Sequence, residues 1–377
     1  MRTLHIITGL STGGAERALH NVLSGGLARI GDSVVLSLSD EGVFGARIRE
    51  LGVGLQTLNM SSSVPSYRHI AALRRYVRAF RPELVQGWMY HGNLAALLAS
   101  KLARDNVALA WNVRQCLYDL AQEKFLTRQV IRANRLGSSH VEAIVYNSRL
   151  SRRQHEAFGF AGQTGIVIPN GFDGRHLQPD ARVRAEIRQS LGISADTRVI
   201  GHVARFHPMK DHAGFLHAAV KVLNRRTDVC FLLVGRDVSL QNPALAGIVP
   251  VDKQPYFRCV GESEHVADFM RAMDILCSSS NSEAFPNVLA EAMCLEVPCV
   301  VTDVGDCRGI VDSTGIIVPA RDREALAQGL LAMLSKSTEE KRLLGRAARK
   351  RIESLYALPT IVNRYIELYE GLIDAKA

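Results

Sequence analysis

The chain alternates short β-rich runs with amphipathic helical stretches, and it runs through that pattern twice. The first series of strand candidates reads TLHIITG, DSVVLSLS, GLQTLNM, ELVQGWM, ALAWNVR, EAIVYNS and GIVIPNG. The second reads RVIGHVARF, VCFLLVG, YFRCVGE, ILCSSS, CVVTDVG and GIIVPA. Helical stretches such as AERALHNVLSGGLARI, SYRHIAALRRYVRAF and SRRQHEAF lie between them. Strands that alternate with helices build parallel sheets covered on both faces. Two series predict an α/β chain with two Rossmann-like, doubly wound domains. A length of 377 residues, too long for one typical core, agrees. Ligands bind such sheets at the carboxyl ends of their strands. Two facing domains therefore predict a cleft.

The expected boundaries are 1–172 for the first domain and 173–355 for the second. Residues 356–377 are expected to form a tail that contains RYIELYEGLI, with apolar residues at helical spacing. This tail is expected to cross back to the first domain. The join lies in the polar, turn-rich stretch from Asn170 to Asp196. Pro359 should kink or restart the last helix.

Composition excludes several classes. Hydrophobic content of 47% and charged content of 22% are those of a globular protein. No apolar run reaches the ~18–20 residues of a membrane span. MRTLHIITGLSTGG lacks the apolar core of a signal peptide, so residence in the cytoplasm is expected. The seven cysteines form no CxxC pair and read as buried, reduced thiols. The twelve histidines show no metal-ligand spacing, and no metal site is predicted. The formal charge of +9 is uneven: residues 1–170 hold 20 basic and 11 acidic residues, and the remainder balances. Such a face suits an anionic partner or simply keeps the surface solvated.

Four elements could carry chemistry. TGLSTGGAER does not fit GxGxxG, which weakens a dinucleotide reading. Gly13 and Gly14 still let backbone approach a ligand at a helix start, or they form a plain tight turn. HVARFHPMKDH sets Arg205 and Lys210 five apart past a strand end, either as a diphosphate clamp or as two solvated cations. GWMYHGN places His91 past another strand end, where it could meet a substrate hydroxyl or be structural. In SEAFPNVLAEAM, Pro286 suits the first helical position, which would leave the N–H groups of Asn287 and Val288 pointing outward. Glu283 and Glu291 then flank that helix start. Each carboxylate can accept two hydroxyls, as a sugar or ribose diol offers. The alternative is a dipole-stabilising glutamate and a surface ion pair.

Together these elements resemble the GT-B glycosyltransferases, specifically the large retaining glycosyltransferase family 4. The resemblance spans nearly the whole chain: STGGAER, YHGN, YNS (146–148), PNGFD (169–173), VARFHPMKD, SEAFPNVLAEAM, TDVGD (302–306) and TGIIVPARD (314–322). It implies that Gly13 and Gly14 approach the donor diphosphate and that Arg205 and Lys210 hold it. Glu283 would bind hydroxyls of the transferred sugar. Backbone from Ala284 and Phe285 through Pro286 and Asn287 to Val288 would meet phosphate and sugar. Glu291 would take the ribose, and His91 would lie near sugar and acceptor. His91, Arg205, Lys210 and Glu283 form the implied catalytic set. The family often has Gly where Ala284 stands, so this loop must suit an ordinary backbone. It commonly has GG where Gly305 and Asp306 stand, and Asp306 is left out of the site.

The implied activity is retaining transfer of a hexosyl unit from a nucleotide diphosphate sugar, with uridine first and guanosine second on family prevalence. No cofactor or metal is expected, since cations already face the leaving diphosphate. The basic helices 68–81 and 123–135 suggest peripheral contact with an anionic membrane and a lipid-linked or envelope glycan acceptor, as in polysaccharide or lipopolysaccharide biosynthesis. A GT-B nucleotide-sugar epimerase is the alternative. A nucleic-acid-binding protein is supported by charge alone, without RNA-binding aromatic motifs.

Overall fold

The computed structural model describes residues 1–11, 13–61, 65–117, 120 and 124–376. Thr12 of the STGGAER segment and Glu123 of the second basic helix lie outside them. The chain divides into two compact units. One comprises Met1–Gly171 with Leu358–Ala377, and the other is Phe172–Ala357.

The first unit holds a seven-stranded sheet: β1 (Arg2–Ile7), β2 (Asp32–Ser37), β3 (Gly54–Thr57), β4 (Leu84–Trp88), β5 (Ala108–Val113), β6 (Ala143–Tyr146) and β7 (Gly165–Val167). Its order is β3-β2-β1-β4-β5-β6-β7, and every pairing is parallel. The second unit holds β8 (Arg198–Val203), β9 (Val229–Val234), β10 (Phe257–Gly261), β11 (Ile275–Ser278), β12 (Cys299–Thr302) and β13 (Ile316–Val318), in the order β10-β9-β8-β11-β12-β13. All thirteen expected strands form. Most are buried along nearly their whole length, as continuous apolar runs covered by helices on both faces require. The order in which strands are added reverses once in both sheets, between β1 and β4 and between β8 and β11. Such switch points open a crevice at the strand ends.

The helices α1 (Gly14–Ser24), α2 (Phe44–Glu50), α3 (Tyr67–Phe80), α4 (Met89–Leu102), α5 (Phe125–Gly137) and α6 (Arg149–Phe158) flank the first sheet. The stretch AERALHNVLSGGLARI is not one helix as expected. It breaks at Gly25 and Gly26, the latter at φ 136°, and ends in a 3-10 turn over Leu27–Arg29. A Cβ at Gly25 would stand 2.8 Å from side-chain carbons of Leu358 and Val362, so the break makes room for the C-terminal helix.

The second unit carries α7 (Ala181–Ser190), α8 (His212–Leu223), α9 (Val266–Arg271), α10 (Asn287–Cys294), α11 (Cys307–Val311), α12 (Arg323–Ser335) and α13 (Thr338–Leu355). The helix restarts at α14 (Leu358–Asp374), with Pro359 in its first turn. Ile361, Val362, Tyr365 and Tyr369 of α14 pack into the core of the first unit beside Trp88 and Leu19.

Several histidines are core residues. His5 is fully buried against Trp88 and Tyr369, and burial pushes its pKa down to about 3. His155 meets the Tyr90 hydroxyl at 2.7 Å, and burial pushes its pKa down to about 4. All seven cysteines are free, and all but Cys259 are buried. No helix among the described residues is long and apolar enough to cross a membrane.

Candidate active site

In the second unit, the loops after β8 and β11 meet at the switch point of the sheet. The β8 loop is fixed by main-chain bonds to the neighbouring strand end. Ala204 N–H donates to Val234 O (3.0 Å) and Phe206 N–H to Arg236 O (2.8 Å). Gly235 permits this approach: it adopts φ 154°, and a Cβ there would stand 1.9 Å from the Ala204 carbonyl oxygen. A 3-10 turn, Pro208–Lys210, follows, and Asp211 at φ 46° caps α8 by accepting from Gly214 N–H at 2.9 Å.

Beneath this turn lies a buried polar layer. His202 Nε2 bonds Ser279 Oγ at 3.0 Å, and Ser279 Oγ reaches the Lys210 carbonyl at 2.9 Å. Burial holds His202 neutral, well below its ordinary pKa. Thr302 Oγ1 donates to Ser280 O at 2.6 Å, and Asn281 N–H donates to Met209 O at 2.7 Å. These bonds fix the Lys210 backbone against the segment that carries Glu283.

The two side chains meet. Lys210 Nζ pairs with Glu283 Oε1, and Ser280 Oγ donates to the same oxygen at 2.7 Å. Glu283 is 10% exposed and Lys210 23%, so the pair lies largely out of water. The sequence reading gave them separate ligands; in the structure the cation and the carboxylate hold each other. Arg205, on the same loop, is exposed and makes no hydrogen bond or ion pair among the described residues.

Pro286 is not the first helical residue. It is the N-cap at φ −76°, ψ 102°, and α10 begins at Asn287. Phe285 is anchored in the core, stacked on Phe172 (6.1 Å) and edge-on to Tyr356 (5.4 Å). The chain leaves that anchor extended, which delays the helix by one residue. Phe285 can thus offer a ligand only its backbone. Pro286 has no side-chain group that could cap α10, and a helix N-terminus prefers an anion. Glu291 is the fifth residue of the helix, about 6 Å along its axis from Asn287. Ala284 has no positive φ, as an alanine requires. The TDVGD turn closes over this loop: Asp306 N–H donates to Ala284 O at 3.1 Å. Gly305 adopts φ 57°, and a Cβ there would stand 2.2 Å from Glu283 O.

In the first unit, Gly13 is the extended N-cap of α1 and Gly14 its first residue. Neither needs positive φ. Gly13 instead leaves space for Glu16, whose Oε2 would lie 2.2 Å from an added Cβ. That carboxylate folds over the helix start, where the N–H groups of Ala15 and Glu16 bond it, while burial raises its pKa. The sequence reading passed over Glu16, although an acid in the first turn of a helix was a usable signal.

His91 is the third residue of α4, half-buried, and burial lowers its pKa. Gly92 allows α4 to start against the sheet, since a Cβ there would stand 2.5 Å from Ile6 O. A cation was also passed over. Arg114, just past β5, donates to Asn112 Oδ1 (2.9 Å) and the Tyr365 hydroxyl (3.0 Å) and lies over the Trp88 ring (5.7 Å). It also bonds Asn170 Oδ1 of the PNGFD segment.

Comparison with known proteins follows this division. A glycosyl transferase 4-like domain model matches residues 13–171, and the group 1 glycosyl transferase model matches residues 197–336. EpsF of Bacillus subtilis is 31% identical over 36% of this chain and 35% of its own. The N-acetyl-alpha-D-glucosaminyl L-malate synthase of Bacillus anthracis is 26% identical over 51% of this chain and 50% of its own. The chain thus spans half or less of the length of these two relatives. The lipopolysaccharide core biosynthesis mannosyltransferase LpsB of Rhizobium meliloti is 24% identical over 59% of this chain and 68% of its own. HepE of Anabaena, solved in complex with UDP, superposes with a TM-score of 0.81 at 19% identity, covering 98% of this chain and 100% of that one. Two parallel-sheet units with this strand order, each matched by a glycosyltransferase model, place the chain among the group 1, family 4-like glycosyltransferases of the GT-B fold.

Proposed function

We propose that the protein is a retaining hexosyltransferase that uses a nucleotide diphosphate sugar, with uridine as the preferred base. The observation that carries the reading is the Lys210–Glu283 pair, with Glu283 four residues before the start of α10. A cation, a carboxylate and a helix N-terminus at one switch point suit a phosphate joined to a polyol. UDP and UDP-glucose in complexes of the similarly folded HepE support the uridine base.

In this reading the arriving diphosphate draws the Lys210 ammonium away from Glu283. Glu283 then accepts sugar hydroxyls, while Ser280 keeps its bond to the carboxylate. Arg205 swings onto the phosphates from its exposed position, and the α10 start meets them from the other side. Bond cleavage at the anomeric carbon gathers negative charge on the diphosphate, and preorganised cations stabilise that charge most as it forms. The leaving phosphate takes the proton of the acceptor hydroxyl on the same face, so configuration is retained. Lys210 and Arg205 take the role a metal ion would otherwise fill. His91, near-neutral and half-buried, serves as hydrogen-bond partner to sugar or acceptor. Gly13 and Gly14 offer main chain to a phosphate at the α1 start, which requires the Glu16 carboxylate to move off it.

The first unit carries 22 basic and 14 acidic residues, a formal +8, against +1 for the second. That charge supports an anionic, lipid-linked or envelope glycan acceptor and peripheral contact with the inner face of an anionic membrane. The matched family descriptions are of transferases, which disfavours the epimerase reading.

Calorimetric titration with nucleoside diphosphates tests the donor site. Uridine diphosphate is expected to bind more tightly than guanosine diphosphate. Glu291→Ala should weaken it about 10–100-fold, the loss of one or two hydrogen bonds to a charged acceptor. Unchanged affinity in that variant would remove Glu291 from the ribose.

A further inference from the structure

The first unit contains a cavity of about 420 Å³ that shares only His91 with the proposed transfer chemistry. It lies at the carboxyl ends of β1, β2 and β3 and is closed by α3, α4 and α5. Its walls are aliphatic, from Leu58, Leu73, Leu94, Leu98 and Val130. Its polar groups are few, chiefly Ser39, His69 and His91. The size falls in the range of small-molecule sites, about 300–1,000 Å³. His91 Nε2 is buried at this wall and has no hydrogen-bond partner among the described residues. A buried ring nitrogen in that condition is open to a hydrogen-bond partner in the cavity.

The rim adds a second character. Ile70 of α3 lines the cavity and is still 37% exposed, and Tyr67 one turn earlier is 74% exposed. Arg74 stands one helical turn beyond Ile70 on the same side of α3, and Arg68, Arg74 and Arg75 are all exposed. An aliphatic interior, one imidazole in the wall and guanidinium groups on the helix that closes it describe an amphiphile. A saccharide alone would leave the aliphatic walls wet, and an aromatic group alone would leave the arginines unused.

We propose that this cavity holds the alkyl or prenyl chain of a lipid acceptor, with its phosphate at the arginines of α3 and its polar end at His91. The inference rests on the glycosyltransferase reading for the word acceptor, and on the cavity alone for the lipid chain.

The experiment titrates the full-length protein with N-phenyl-1-naphthylamine, a dye that brightens in apolar sites. Farnesyl phosphate and farnesol are then used as competitors. Farnesyl phosphate is expected to displace the dye at roughly tenfold lower concentration than farnesol, an advantage of one ion pair lost at high salt. Ala95→Trp fills the cavity and should abolish dye and farnesyl phosphate binding. Ala95→Leu, a smaller filler, should weaken both at least severalfold and guards against misfolding of the larger variant. Uridine diphosphate affinity should stay unchanged in both variants, since Ala95 lies outside the donor unit. Absence of farnesyl phosphate binding to the wild type would overturn the proposal. So would unchanged binding in a folded Ala95→Trp protein, or a dye displaced only by an aromatic glycoside. Farnesyl phosphate binding without uridine diphosphate binding would support the lipid site and contradict the donor reading instead.

Discussion

Replacing Lys210 by alanine is expected to lower kcat/KM for the donor by about 10²–10³-fold, the usual loss of one preorganised charged donor. The ammonium is held by geometry built from distant parts of the second unit. Ser279 and His202 fix its backbone, and Glu283 holds its tip. In the proposed reaction that tip leaves Glu283 for the diphosphate, so its contribution grows as charge develops. The loss should therefore fall on kcat more than on KM. Lys210→Arg should recover only part of the rate, because a planar fork cannot reproduce a compact ammonium at a buried carboxylate. Steady-state kinetics with a donor panel measures this, and turnover within about twofold of wild type would remove Lys210 from the mechanism.

Gly235→Ala is expected to destabilise the second unit by about 3 kcal/mol or more and to weaken nucleotide binding with it. Two penalties combine. The φ of 154° is open to glycine and strained for alanine, and the new Cβ would stand 1.9 Å from the Ala204 carbonyl oxygen. Relief means moving the β8 loop, which breaks the bonds from Ala204 to Val234 and from Phe206 to Arg236. That loop carries Arg205 and leads into Lys210. Gly247→Ala is the control. Gly247 also has positive φ, 80°, but faces open space, so only a conformational cost of about 1–2 kcal/mol is expected. Denaturant unfolding compares the two, and equal losses would refute the close-approach argument.

The strands were legible because parallel sheets covered on both faces need unbroken apolar runs, and all thirteen runs stand in the sequence. Helix ends were less legible. The stretch after Gly14 reads as one amphipathic helix until Gly25 is seen to accommodate Leu358, more than 300 residues away. Pro286 suits a first helical position by local rules, and the Phe172–Phe285 stack moves the start by one residue. The candidate residues Arg205, Lys210, Glu283 and His91 were visible as residues past strand ends. What the sequence could not carry was their pairing. Lys210 and Glu283 are 73 positions apart, and only the adjacency of β8 and β11 brings them into contact. Arg114 was invisible for the same reason, since its partner Tyr365 lies 251 positions on in α14.

Transfer with retention from a nucleotide sugar is tested most directly by proton NMR of donor turnover. Incubated with an α-linked uridine diphosphate hexose, the protein should slowly release the free α-sugar first, before mutarotation. A suitable lipid-linked acceptor should accelerate donor consumption and give an α-linked product. A β-anomer formed first would contradict retention. A new nucleotide sugar formed without acceptor would mean an epimerase, and no consumption across uridine and guanosine donors would contradict the donor site itself.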